Sequence, residues 1–191
     1  PTSWPDETSI EEARALSRMR WGTQIVVTMP DEVRLLAAHV DLAALGHTWD
    51  LWAGTGTIQR TLAHHHVTVR SNDLNPLMPR MHTRLDATEP TSYAIWQRAG
   101  LDCVISSPMF ALLDIALPLA VHFCRQAVCM HVPATYYTDA TSQRLVYLRN
   151  LESQKRLRTI MHLPRGPLGR RCMWIVIFAS PGLARRAMRE S

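Results

Sequence analysis

Apolar positions along this 191-residue chain gather into short continuous runs, and between them lie stretches in which apolar residues recur at helical spacing. The runs at 47–52, 66–70, 102–106, 127–131, 159–163 and 173–178 predict strands. The intervening stretches predict helices over 31–45, 57–64, 92–97, 111–124 and 141–154. Pro30 opens the first of these at a position where its missing N–H costs nothing, and Val33, Leu35, Leu36, Val40 and Leu42 follow near helical spacing. Pro118 inside 111–124 predicts a break or kink. A further short amphipathic helix is expected over 9–19. Unbroken apolar runs, in place of alternating ones, are those of a mostly parallel sheet with helices on both faces, so the expected class is α/β. The expected division is an N-terminal helical extension over 1–20, one main domain over 21–180 and a basic C-terminal tail over 181–191.

The first run leads directly into Asp50-Leu51-Trp52-Ala53-Gly54-Thr55-Gly56, a turn with two close glycines ahead of a helix. Such a turn presents backbone N–H groups and a helix N-terminus to a ligand. After the second run come Asn72 and Asp73, about twenty residues past the turn, where a Rossmann-type unit offers a carboxylate to ribose hydroxyls. Leu85-Asp86-Ala87 places another acid at an expected strand end, and 102–106 runs into Ser107-Pro108-Met109-Phe110. In an open α/β sheet the carboxyl ends of the strands share one crevice, so these four segments are expected to converge.

Charge divides the chain unevenly. Residues 141–191 carry eleven Arg or Lys against two Glu, whereas the first 140 residues are net acidic. Arg165, Arg170 and Arg171, in a stretch rich in Gly and Pro, are candidate phosphate contacts, and Tyr136 and Tyr137 are candidate stacking platforms for bases. Cys103, Cys124, Cys129 and Cys172 stand singly in apolar surroundings, which predicts reduced core residues and an intracellular location. His64-His65-His66 reads as a solvated loop, and no metal site is expected. No run is long enough for a membrane span.

Together these motifs resemble the class I S-adenosylmethionine-dependent methyltransferases, with a Rossmann-like fold. Within them they resemble the group that methylates exocyclic amino groups of nucleic-acid bases, of the phage and mobile-element adenine type. The resemblance extends from about Trp21 to Phe178. It implies that Asp50, Trp52, Ala53, Gly54 and Gly56 hold the methionine part of S-adenosyl-L-methionine, that Asn72 and Asp73 bind its ribose, and that Asp86 and Ala87 flank its adenine. Thr28 and Pro30 match a segment that touches the cofactor's carboxylate end. Ser107, Pro108, Met109 and Phe110 match the catalytic signature, with the Ser107 hydroxyl and the Pro108 carbonyl as acceptors for the amine protons and Phe110 stacked on the base.

Two positions depart from that family. Met109 replaces a second proline, which predicts a looser segment, and Ser107 replaces the more usual Asp or Asn, which leaves adenine and cytosine both open. The expected partner is nucleic acid, DNA over RNA, and no membrane. Because the chain begins at Pro1 and shows no separate recognition domain, specificity is expected from its own loops, a missing part or a partner subunit. A degenerate methyltransferase fold that only binds, and an enzyme for a small molecule or protein glutamine, are the alternatives.

Overall fold

A computed structural model describes residues 28–76, 78, 81–138, 141–161 and 172–189. Its centre is one six-stranded sheet of β1 (Thr48–Asp50), β2 (Val69–Ser71), β3 (Cys103–Ser106), β4 (Ala127–Pro133), β5 (Leu157–Met161) and β6 (Cys172–Phe178), in the order β2-β1-β3-β4-β6-β5. The first four in that order are parallel, and β6 runs antiparallel to both of its neighbours. The helices are α1 (Pro30–His39), α2 (Thr57–Ala63), α3 (Pro90–Arg98), α4 (Leu113–Phe123), α5 (Thr135–Thr138), α6 (Ser142–Ser153) and α7 (Pro181–Ala187).

Strand residues alternate between two cores because successive side chains point to opposite faces. Val104, Val128, Met130, Ile175 and Ile177 pack with Tyr93 and Trp96 of α3, Leu117 of α4 and Leu148 of α6. Cys103, Ile105, Cys129, Trp174, Val176 and Phe178 pack on the other face with Val33 and Leu36 of α1, Leu62 of α2 and Leu183 of α7. Both faces are therefore covered, as the unbroken apolar runs require.

Several expected boundaries shift. The helix over 31–45 stops at His39, where Val40 turns extended and bridges to Met188, and a 3-10 turn, Leu42–Leu45, completes the connection. A strand ending at Asp86 does not form; that segment keeps one parallel bridge, between Asn72 and Thr83, because the Asn72 side chain takes the place of a ladder. Its Oδ1 accepts from the Leu85 N–H at 2.8 Å and the Thr83 hydroxyl at 2.8 Å. Pro118 does not end α4 but sits inside it, on the half-exposed side, and the helix runs unbroken to Phe123. Pro181–Ala187, in the stretch read as a tail, is a helix capped by Ser180, with Leu183, Ala184 and Ala187 buried. His64, His65 and His66 lie exposed in the turn before β2.

Candidate active site at the head of β1 and β3

The chain leaves β1 toward β2 on one side and returns to β3 on the other, so the order reverses between β1 and β3. Crevices in open α/β sheets form at such a point. Asp50 ends β1 and Ser106 ends β3, and the two side chains meet: the Ser106 hydroxyl donates to Asp50 Oδ1 at 2.6 Å. The Trp52 N–H donates to Ser106 Oγ at 3.0 Å, with a longer contact of 3.3 Å to Asp50 Oδ1. Asp50 is fully buried, and burial, opposed by these hydrogen bonds and aided slightly by the charge of Asp73, pushes its carboxyl up to about 7. Its second oxygen, Oδ2, has no hydrogen-bond partner among the described residues. A buried acceptor without a partner is costly, which makes this oxygen a candidate contact for a ligand donor.

The turn beyond is built for close approach. Gly54 and Gly56 have φ of +50° and +79°, a region that penalises any side chain, and a Cβ on Gly54 would meet nothing within 4 Å. The Gly54 N–H donates to Asp73 Oδ2 at 2.8 Å, and Asp73 Oδ1 accepts from the Asn75 N–H at 2.9 Å. Asp73 therefore ties the glycine turn to the loop after β2 and keeps a lone pair on each oxygen.

Other residues expected to bind have different work. The Asn72 side chain is 1% exposed and donates to Leu51 O and Leu85 O as well as accepting twice, so its hydrogen-bonding capacity is exhausted and none remains for a ribose. It is a clamp behind the site. Ala87 is buried in the core and its carbonyl accepts from the Tyr93 hydroxyl, while Asp86 folds back on Thr88 through two contacts to Oδ1. Trp52 is half-buried and Ala53 is buried, its N–H donating to Asn72 O. Thr28 is buried just ahead of α1, and Pro30 is exposed.

At the end of β3, Ser107 is buried and its hydroxyl has no hydrogen-bond partner among the described residues. Pro108 is buried; Met109 and Phe110 are half-buried. Met109 holds φ −57° and ψ 131°, within the range a proline imposes, so its path is that of the proline it replaces. A 3-10 turn, Phe110–Leu112, follows directly.

The basic quarter is partly spent on structure. Arg144 makes a two-pronged pair with Asp114, at 2.8 and 2.6 Å, and lies 4.3 Å above the Tyr136 ring. Tyr136 is 5% exposed and donates to Asp114, so its ring is packed in this arrangement and not presented for stacking. Tyr137 is half-buried and its hydroxyl donates to Glu152. Arg156 donates to the Phe178 carbonyl at 2.7 Å. Arg165, Arg170 and Arg171 lie outside the described residues.

Sequence reading missed Ser106, the hydroxyl that supports Asp50. Its signal was the Ser106-Ser107 pair at a strand end, where alternation must send one serine inward and leave the other at the mouth.

No protein-family model matches this sequence, and no curated protein is similar to it by sequence. Its fold does match solved structures. The O-methyltransferase TomG from Streptomyces achromogenes, in complex with SAM, superposes with a TM-score of 0.59 at 10% identity, covering 93% of this chain and 92% of that one. An O-methyltransferase from Bacillus cereus in complex with SAH gives 0.56 at 9% identity over 91% and 92%. A class I S-adenosylmethionine-dependent methyltransferase from Listeria monocytogenes gives 0.54 at 14% identity, over 91% of this chain and 69% of that one. Strand order, glycine turn and these superpositions agree: the chain has the Rossmann-like fold of the class I methyltransferases.

Proposed function

We propose that this protein is an S-adenosylmethionine-dependent methyltransferase whose acceptor is an exocyclic amino group of a nucleic-acid base, adenine in DNA before cytosine or RNA. The observation that carries the reading is that two buried oxygens at the ends of the adjacent strands β1 and β3, Asp50 Oδ2 and Ser107 Oγ, have no hydrogen-bond partner among the described residues. The first belongs to the cofactor side and the second to the acceptor side. Two groups fit the cofactor: the buried Asp50 carboxyl for its ammonium and the spare lone pairs of Asp73 for its ribose. When bound, the cofactor supplies an already activated methyl group.

The remaining work is positioning, which this chain's own residues perform. An exocyclic amine is a weak nucleophile because its lone pair is delocalised into the ring. Acceptance of its protons by Ser107 Oγ and the Pro108 carbonyl turns that pair toward the methyl group, and Phe110 supports the ring by stacking. The proline-like backbone of Met109 keeps this segment in the shape such acceptance needs.

A second reading, transfer to a hydroxyl oxygen, is favoured by the description of TomG and the Bacillus cereus protein as O-methyltransferases. Calorimetric titration with S-adenosylmethionine, followed by radiolabelled transfer to unmethylated duplex DNA, single-stranded DNA, RNA and a panel of phenols, separates the two. Labelled N6-methyladenine supports the first reading. Labelled phenol ethers with unlabelled nucleic acid replace it with the second, and cofactor binding without any product leaves a binding protein.

A further inference from the structure

On the face of the sheet covered by α1, three metal-ligating side chains from distant parts of the chain meet. His131 of β4 pairs with Trp174 of β6, and Pro133 pairs with Cys172, so His131 and Cys172 are diagonal neighbours on one face. Above them the first turn of α1 delivers Glu32, which is 6% exposed. One donor atom from each of Glu32, His131 and Cys172 lies within 4.8 Å of the other two.

His131 makes the grouping more than a packing accident. It is 1% exposed, yet neither of its ring nitrogens has a hydrogen-bond partner among the described residues. A buried imidazole left so is costly unless something else takes a nitrogen. Its Nε2 lies 3.5 Å from Glu32 Oε1, long for a hydrogen bond. That separation is close to the edge, about 3.4 Å, of a tetrahedron with ligands at about 2.0–2.1 Å from a central zinc ion. The carboxylate is also oriented from behind, since its other oxygen, Oε2, accepts the Met29 N–H at 2.8 Å, and the Glu32 backbone is tied to β6 through its carbonyl, which accepts from the Trp174 indole at 2.7 Å. Metal sites carry supporting contacts of this kind.

We propose that Glu32, His131 and Cys172 bind one transition-metal ion, Zn²⁺ by the match of one imidazole, one carboxylate and one thiolate, and that the ion clamps the start of α1 to β4 and β6. Three protein ligands leave a fourth tetrahedral position for water. The clamp holds the first turn of α1, two residues after Pro30, to the sheet. This site does not depend on the proposed methyl transfer.

The test is titration of Co²⁺ into the reduced 191-residue chain, with no methyl donor present. The expected result is one equivalent bound, with a thiolate-to-cobalt charge-transfer band in the near ultraviolet, tetrahedral bands in the visible, and displacement by Zn²⁺. Cys172→Ser is expected to abolish the charge-transfer band. Glu32→Gln, which keeps an acceptor for Met29, and His131→Gln are each expected to weaken binding by more than about 100-fold, beyond the loss that an outer contact causes. Absence of the band in the parent chain overturns the proposal. So does binding unchanged by Cys172→Ser, including binding that disappears only when His64, His65 and His66 are replaced.

Discussion

The heads of β1 and β3 and the junction of α1 with β4 both bury a carboxylate, and they treat it differently. Asp50 is met by a hydroxyl and a backbone N–H, with no cation among its described partners, and burial raises its carboxyl to about 7. Glu32 is met by a backbone N–H on one oxygen and faces the His131 imidazole with the other. The first arrangement leaves one oxygen without a hydrogen-bond partner among the described residues, the oxygen proposed to meet the cofactor. The second draws side chains from α1, β4 and β6 together, the grouping proposed to hold a metal ion. Burial of an acid is thus not one signal but two, distinguished by what stands opposite.

The largest expected effect that sharpens this contrast is on pH dependence. Because the Asp50 carboxyl is raised above its ordinary 3.8, its protonated form is favoured in the folded state. Its favourable contribution is complete below that value and is lost as pH rises to about 7, by an amount on the order of 4 kcal/mol. Urea unfolding of the parent chain and Asp50→Asn across that range should show the slope in the first and its loss in the second. A cation delivered to Oδ2 acts in the opposite sense, so binding of S-adenosylmethionine near pH 6 should release protons, measurable by calorimetry in buffers of different ionisation enthalpy. Binding without proton release would break the contrast by removing Asp50 from the ligand's reach.

Asp73→Ala removes the acceptor that holds Gly54 N–H and should weaken cofactor binding by about 1.5–3 kcal/mol in the same titration. Trp174→Phe leaves the Glu32 carbonyl without its indole donor and should cost about 1–2 kcal/mol of stability in urea, with cofactor affinity little changed. The smallest effect is expected from Tyr137→Phe, whose partner Glu152 is exposed: about 0.5 kcal/mol or less by the same unfolding measurement. Equal losses of cofactor affinity from Asp73→Ala and Trp174→Phe would show that the two regions act as one.

Much of this was legible in the chain because it depends on local order. The glycine turn announces itself by spacing, and positive φ at Gly54 and Gly56 is what glycine is needed for. Apolar runs in place of alternation foretold a sheet covered on both faces. Local order also misled. Asn72 beside Asp73 looked like a second ribose contact, but a side-chain amide next to a missing strand is consumed in replacing that strand. Tyr136 looked like a stacking platform for bases, but Asp114, on another helix, takes its hydroxyl and Arg144 covers its ring.

The sequence by itself determined the α/β class and the glycine turn after the first strand, since each follows from periodicity and from residues adjacent in the chain. Only the tertiary structure decided which serine supports Asp50, that Met109 keeps a proline-like path, and that Glu32, His131 and Cys172 come together at all. Those facts depend on strand register and on which helix covers which face, and both are settled by contacts between residues far apart in the chain, which no local spacing records.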